Sequence, residues 1–557
     1  MFKTTFKRAL LALTISAGFM TSVHAEHEDV VRPAAWKDLA FGGRFMDRFE
    51  PMPLLGQRTN DTWGVDAVKP RDVLNGIEDH QWSYWGGNIL QAEDQTYHLF
   101  VCRWREDSPK GHMAWRQSEV VRTVSKNRMG PFKVAEVIGS GHNPEAYPLA
   151  GGRYICYVMG AYYLGKTISG PWEKKSFEFV PRDRKIVAGL SNLSFAGRED
   201  GSYLMVNRGG GMWVSQDGIS PWEQVTQGSN YPKVRGRFED PVLWRTKVQY
   251  HMIVNDWHGR IAYHLRSKNG VHWKVDAGEA YMPGIAVSED GKKDQWYKYE
   301  RIKMFLDEHG RAIQANFAVI DYSKWEDKPN DVHSSKNISI PLTAGRLLTL
   351  LNKERITGAT KEIQVRIAAE PDFDPHKDIN FDSLLFGAPE EVDFRRGSRL
   401  LRTVPDGQDL IAVFSGKGNG FTDHSFTGKL LGRTSDGKLL FGYCQLPWVD
   451  YEEPILTVCR PQVTHQGTKQ VLTVEVSNHG QVASKPSEIQ ILAAGIPPIT
   501  AACPALHPYG KTDIDVSLPD SFKGGQSYDL TITTGLHLQQ PTVFAAEKVK
   551  VPRQDTK

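Results

Sequence analysis

The sequence predicts an all-β protein: a five-bladed β-propeller followed by two β-sandwich (immunoglobulin-like) domains. Three observations carry this. Helical periodicity is nearly absent, short strands rich in Val, Ile, Tyr and Trp are bounded by Gly, Pro, Asn and Asp, and one loose unit recurs five times between about residues 80 and 325.

At the N-terminus Lys3, Lys7 and Arg8 precede an apolar run from Ala9 to Met20, and Val23-His24-Ala25 supplies small residues at a cleavage position. This predicts a secretory leader over 1–25, removed after Ala25, and hence a periplasmic or secreted protein. No later stretch offers about 20 uninterrupted apolar residues, and no Cys stands at the cleavage point, so no membrane anchor is expected. The remaining length exceeds what one core serves, which implies two or three domains. A net charge of +3 with both signs intermixed argues against a nucleic-acid partner.

The five cysteines (Cys102, Cys156, Cys444, Cys459, Cys503) show no Cys-x-x-Cys pair and no zinc spacing. Cys102 and Cys156 occupy similar places in successive units, which leaves open both a disulfide and two buried thiols.

Residues 26–332 hold the propeller. Its units open on Asn88-Ile89-Leu90, Pro148-Leu149, Leu193-Ser194-Phe195, Pro241-Val242-Leu243-Trp244 and Ile302-Lys303-Met304-Phe305, each turning into a second strand such as Tyr97–Val101 or Tyr250–Val254. Between them Gly130-Pro131-Phe132, Gly170-Pro171-Trp172, Ser220-Pro221-Trp222 and Val271-His272-Trp273 recur at outer-strand spacing. The first strand of each blade lines the axis, so the groups just before it converge on one pocket. Those groups are Trp85-Gly86-Gly87-Asn88, Gly141-His142-Asn143-Pro144-Glu145, Leu190-Ser191-Asn192, Phe238-Glu239-Asp240-Pro241 and Tyr299-Glu300-Arg301.

Phe238-Glu239-Asp240-Pro241-Val242-Leu243-Trp244 followed by Tyr250-His251-Met252 resembles the Arg-Asp-Pro blade of invertase-like glycosidases and the blade openings of family 43 and family 117 five-bladed glycosidases. Tyr299-Glu300-Arg301 resembles the blade that carries their general acid. The resemblance implies an O-glycosyl hydrolase in which Glu300 protonates the leaving oxygen and Asp240 stabilises the transition state or tunes its neighbour. The chain departs from that pattern where those families place an Asp in the first blade, since it has Trp85-Gly86-Gly87-Asn88 there. Glycoside hydrolysis ordinarily needs two carboxylates. The nearest substitutes are Glu145, His142, Glu239 and Asp79.

Sugar rings stack on aromatic faces, and guanidinium groups grip carboxylate or sulfate in planar pairs. On those grounds Trp82, Tyr84, Trp85, Arg103, Trp104, Arg208 and Arg301 are candidate substrate contacts, Asn88 and Asn143 join them from the blade openings, and an anionic plant or algal polysaccharide is the expected partner. Asn255-Asp256-Trp257-His258-Gly259 adds Asp256 and His258 at the end of the second strand of the fourth blade. No cofactor is predicted; histidines near the axis could ligate a divalent metal, but no ligand set can be read.

Longer alternating strands follow, including 362–367, 410–414 and 439–443, which predict a β-sandwich over 333–452. Residues 453–557, with Val471–Val476 and Tyr528–Ile532, resemble an immunoglobulin-like adhesion module. Three readings stand: an exo-acting glycosidase, a glycan-binding propeller without catalysis, and a lyase in which His142 or a Tyr abstracts a proton beside a uronic carboxylate.

Overall fold

The computed structural model describes residues 32–59, 68, 70–180, 189–219, 221–258, 260–321, 323 and 335–553. The leader read at 1–25 lies outside them. Strand follows strand throughout, interrupted by one four-residue α-helix (Pro389–Val392) and several 3-10 turns.

Five successive antiparallel sheets come first, four of four strands and the fifth of three, each a meander in chain order. Their first strands are Trp82–Gln91, Glu145–Pro148, Ser194–Gly197, Phe238–Arg245 and Lys298–Leu306. These inner strands lie side by side in a closed ring. The first neighbours the second and the fifth, and the fourth neighbours the third and the fifth. The second and third are joined where the Tyr147 hydroxyl donates to the Phe195 carbonyl at 2.6 Å.

The core sits in the seams between adjacent sheets, so central strands are covered on both faces and cannot alternate apolar with polar. Tyr250–Asp256 and Ile261–Ser267 are buried at every position. Between the second and third sheets Tyr157 stacks on Phe195 with centroids 3.4 Å apart, and Trp222 fills the same seam. Phe45 and Met52 from the N-terminal segment fill the seam between the fourth and fifth.

That segment also closes the ring. Phe49 bridges Leu342 and Ile77 bridges Asn337, at the edge of the strand Ser335–Pro341. Glu78 is held there by Arg71 at 2.7 Å and Lys336 at 2.8 Å. Ser335–Pro341 pairs along its whole length with Ala312–Ile320, and all seven residues are buried. The fifth sheet therefore extends past the boundary expected at residue 332, since its last strand is Ser335–Pro341.

Residues 346–445 form a closed seven-stranded barrel where the sequence suggests a sandwich over 333–452. Arg346–Leu350 pairs antiparallel with Glu362–Ile367 and parallel with Leu439–Gln445, which removes the free edges. Inward and outward residues alternate alike in barrels and sandwiches, so the pattern could not separate them. Residues 456–550 form two four-stranded sheets sharing a core that includes Leu472, Val474, Ile489 and Ile532. They dock on the third sheet, where Arg198 donates to the His479 carbonyl at 2.9 Å and Gln481 to Glu199 at 2.9 Å. All five cysteines are free, and Cys102 and Cys156 are buried thiols in one cluster. No described helix is long and apolar enough to cross a membrane.

Candidate active site

Each inner strand, or the residues leading into it, carries a residue in the left-handed backbone region at a matching position. These are Gly86 (φ 63°), Asn143 (55°), Asn192 (52°), Asp240 (56°) and Arg301 (54°). In the first, fourth and fifth sheets the register slips at that point, between Trp85 and Asn88, Glu239 and Val242, and Glu300 and Lys303. This is a bulge, and it re-aims the side chains on either side of it. Gly, Asn and Asp tolerate the conformation, whereas a long side chain adopts it only when held. Asp240 holds Arg301: it accepts the backbone N–H at 3.3 Å and lies 2.8 Å from Nη1. Gly87, with φ 102°, could carry no side chain, since a Cβ would fall 1.9 Å from the Phe100 carbonyl oxygen.

The five residues just before these left-handed positions, Trp85, His142, Ser191, Glu239 and Glu300, all line one cleft of about 290 Å³. Four of the left-handed residues form its floor, a chain in which Asn143 donates to Asn192 at 3.3 Å, Asn192 to Asp240 at 3.1 Å, and Asp240 pairs with Arg301. Beyond the floor stand Asn88, Glu145, Ser194 and Lys303. Glu145 pairs with Lys303 and accepts from Ser194 Oγ at 3.1 Å, while Asn88 bonds both backbone groups of Ala146 at 2.9 and 2.7 Å.

Trp85, Trp115 and Trp257 wall the cleft. His112 sits edge-on to Trp85 and Trp104, with centroids 4.6 and 5.1 Å away. His142 packs 4.8 Å from the Trp115 ring, its Nδ1 2.8 Å from Ser118 Oγ and 3.3 Å from the Cys102 sulfur. Burial pushes that thiol up to about 12, so it stays neutral. Glu300 is 2 % exposed and lies 2.7 Å from Lys298 Nζ, which in turn sits over Trp257 at 4.8 Å. Glu239 is more open, and its nearest cation is Arg208 at 3.5 Å. Arg116 lies over Trp115 at 5.4 Å. Burial, reinforced by the Asp240 and Glu300 charges, raises the Tyr281 hydroxyl well above its ordinary value and keeps it neutral.

Of the residues singled out in the sequence, Glu300, Glu239, His142, Trp85, Asn143, Arg208 and Arg301 come together here. The others do not line the cleft. Asp240 is committed to the floor. Glu145 and Asn88 lie across the bulge and staple inner strands. Asp79 accepts the N–H groups of Gln81 and Trp82 at 2.8 and 3.0 Å, capping a turn. Arg103 pairs with Glu119 at 2.8 Å and covers Trp82 at 4.0 Å. Asp256 is fully buried and accepts from the backbone of Arg237 at 2.9 Å and His258 at 3.3 Å, while the His258 ring packs against Trp257 at 4.2 Å.

Sequence reasoning missed His112, Met113, Trp115 and Arg116, which reach the cleft from a 3-10 turn, Gly111–Gln117, inserted between the second and third strands of the first sheet. Its signal was available: a connection rich in aromatic and basic residues where the other units turn on Gly, Asn and Asp. Among the described residues no group of three or more His, Cys, Asp or Glu side chains is placed to hold a metal ion.

No family model and no curated protein matches the chain. Among solved structures it is similar to a family 117 glycoside hydrolase of the marine bacterium Zobellia galactanivorans, at 11 % identity and a TM-score of 0.36 over 48 % of this chain and 88 % of that one. It is also similar to an endo-arabinase of Bacteroides thetaiotaomicron, at 11 % identity and 0.31 over 48 % and 96 %. An α-L-arabinofuranosidase of Lactobacillus brevis stands at 10 % identity and 0.34 over 48 % and 93 %. Likeness at that level carries no inference about this chain's chemistry, which rests on its own side chains.

Proposed function

We propose that the five sheets are the blades of a β-propeller and that the chain is a glycoside hydrolase acting at the mouth of its axis. The observation that supports this is the register of two glutamates. Glu239 and Glu300 precede the bulge on neighbouring inner strands and share one aromatic-walled cleft. Two carboxylates facing one sugar-sized site are what acid–base cleavage of a glycosidic bond requires. They also answer the missing carboxylate of the first blade, where Trp85 and the two glycines form wall and floor.

Glu300, buried with Lys298 Nζ at 2.7 Å, and Glu239, more open with Arg208 at 3.5 Å, divide the acid and the base or nucleophile between them. The hydrogen-bonded floor closes the axis below the cleft, which favours exo-action on a terminal sugar. Arg116 and Arg208 at the wall favour a sugar bearing carboxylate or sulfate. The leader at 1–25 supports export to where such polymers are met. The lyase reading keeps His142 as its base but has no tyrosine to pair with it, since none lines the cleft among the described residues.

The test is product analysis on neutral and acidic oligosaccharides with wild type, Glu239→Gln and Glu300→Gln. Release of a saturated monosaccharide, abolished by either substitution, supports hydrolysis. An unsaturated product would replace it with elimination, and binding without turnover would leave a glycan-binding protein.

A further inference from the structure

A second cavity, also of about 290 Å³, lies between the fourth and fifth sheets and the barrel. Its walls include the rings of Trp244, Phe441 and Tyr443, and among the described residues no Asp or Glu lines it. Most of its cations are committed elsewhere: Arg311 pairs with Asp307 and Glu370 at 2.6 Å each, and Arg366 with Asp406 at 2.6 Å.

Arg48 and Lys247 have no carboxylate partner among the described residues, and of these two Arg48 alone is buried. It is 8 % exposed, and its guanidinium lies over the Phe45 ring at 4.5 Å and over the Phe441 ring at 4.2 Å. It donates to the Tyr443 hydroxyl at 3.3 Å and to no carboxylate among the described residues. Asp276 and Asp393 act on it only through space, since they are held by Arg266 and Lys429. Burial disfavours its charge, and a buried charge without a counter-ion is expensive to keep. Contact with the two rings holds the guanidinium in place, and its N–H groups beyond the one given to Tyr443 are left for a planar anion. His251, on the same wall, is lowered well below its ordinary value by burial and adds no competing cation.

We propose that this cavity is a ligand site separate from the cleft, built for a small carboxylate with a compact apolar or aromatic body, its head on Arg48 and its body among the rings. The test is calorimetric titration of the full chain with benzoate and with benzamide, its neutral isostere. Benzoate should bind at least tenfold more tightly than benzamide, and Arg48→Gln should remove that preference. Ala368→Phe, which fills the cavity and leaves Arg48 in place, should abolish binding of both even if the Arg48 variant does not fold. Equal affinity for the two compounds, no binding of either, or benzoate binding unchanged by Ala368→Phe would overturn the proposal and leave Arg48 as packing between two aromatic rings.

Discussion

Glu300 and Lys303 stand three residues apart on one strand, yet they belong to different parts of the molecule. Before the bulge, Glu239 and Glu300 face a cleft walled by tryptophans; beyond it, Glu145 and Lys303 face each other, with Ser194 beside them. On the proposed reading, the same residue types on the same ring of strands serve chemistry on one side and cohesion on the other. A local backbone device decides which, because the left-handed residue interrupts the two-residue alternation of the strand.

The sharpest way to break that contrast is to neutralise one carboxylate on each side. Glu239→Gln and Glu300→Gln should each lower kcat/KM by about 10²–10⁴-fold, the range of a lost acid or base. For Glu239, whose partner contact is long and partly open, the unfolding free energy should change by less than about 1 kcal/mol. Steady-state kinetics on the released sugar, paired with denaturant titration, reads both quantities. Full activity in either variant would remove that glutamate from the chemistry.

Across the bulge the expectation inverts. Glu145→Gln strands the buried Lys303 ammonium and should cost about 3–5 kcal/mol of stability, while activity per folded molecule is retained. An inactive variant of wild-type stability would show that the floor does not separate the two sides.

Much of this was legible in the sequence. The five strand units, their turns and the polar groups at their openings are visible as apolar runs punctuated by Gly, Pro, Asn and Asp. What could not be read is which of those groups face the cleft, since Glu145 and Glu239 look alike until a bulge sets the direction of each strand. Asp240 was legible as important but not as the partner of Arg301, a contact between neighbouring inner strands 61 residues apart. The turn Gly111–Gln117 escaped because an inserted loop breaks the repeat that made everything else readable, and the barrel escaped because closure depends on one parallel pairing between its ends.

A fourth carboxylate tests whether cohesion extends to the closure of the ring. Glu78, between Arg71 and Lys336, is held down to about 2 from an ordinary 4.5, the two cations outweighing burial. Its folded-state pKa is depressed, so its contribution is present above the unfolded value and lost as pH falls from about 4.5 toward 2. The loss should reach roughly 3 kcal/mol, and Glu78→Gln should flatten that part of the stability profile. An unchanged slope in the variant would assign the acid transition to other groups.

The smallest effect isolates the backbone device itself. Asp240 supplies both a charge for Arg301 and a residue type that accepts φ 56°, and two substitutions separate these. Asp240→Asn keeps a side chain suited to the left-handed region and can still bond Asn192, losing only the charge. Asp240→Ala loses the charge and must also adopt a conformation that costs an ordinary L-residue about 1–2 kcal/mol. The alanine variant should therefore be less stable than the asparagine variant by at least about 1 kcal/mol in denaturant titration. Both should raise KM, because Arg301 loses the partner that holds it under the cleft. Equal stability would mean that the bulge is set by the ring of sheets around it and not by the residue at its apex, and the repeat of left-handed residues would then be a consequence of the fold instead of a cause.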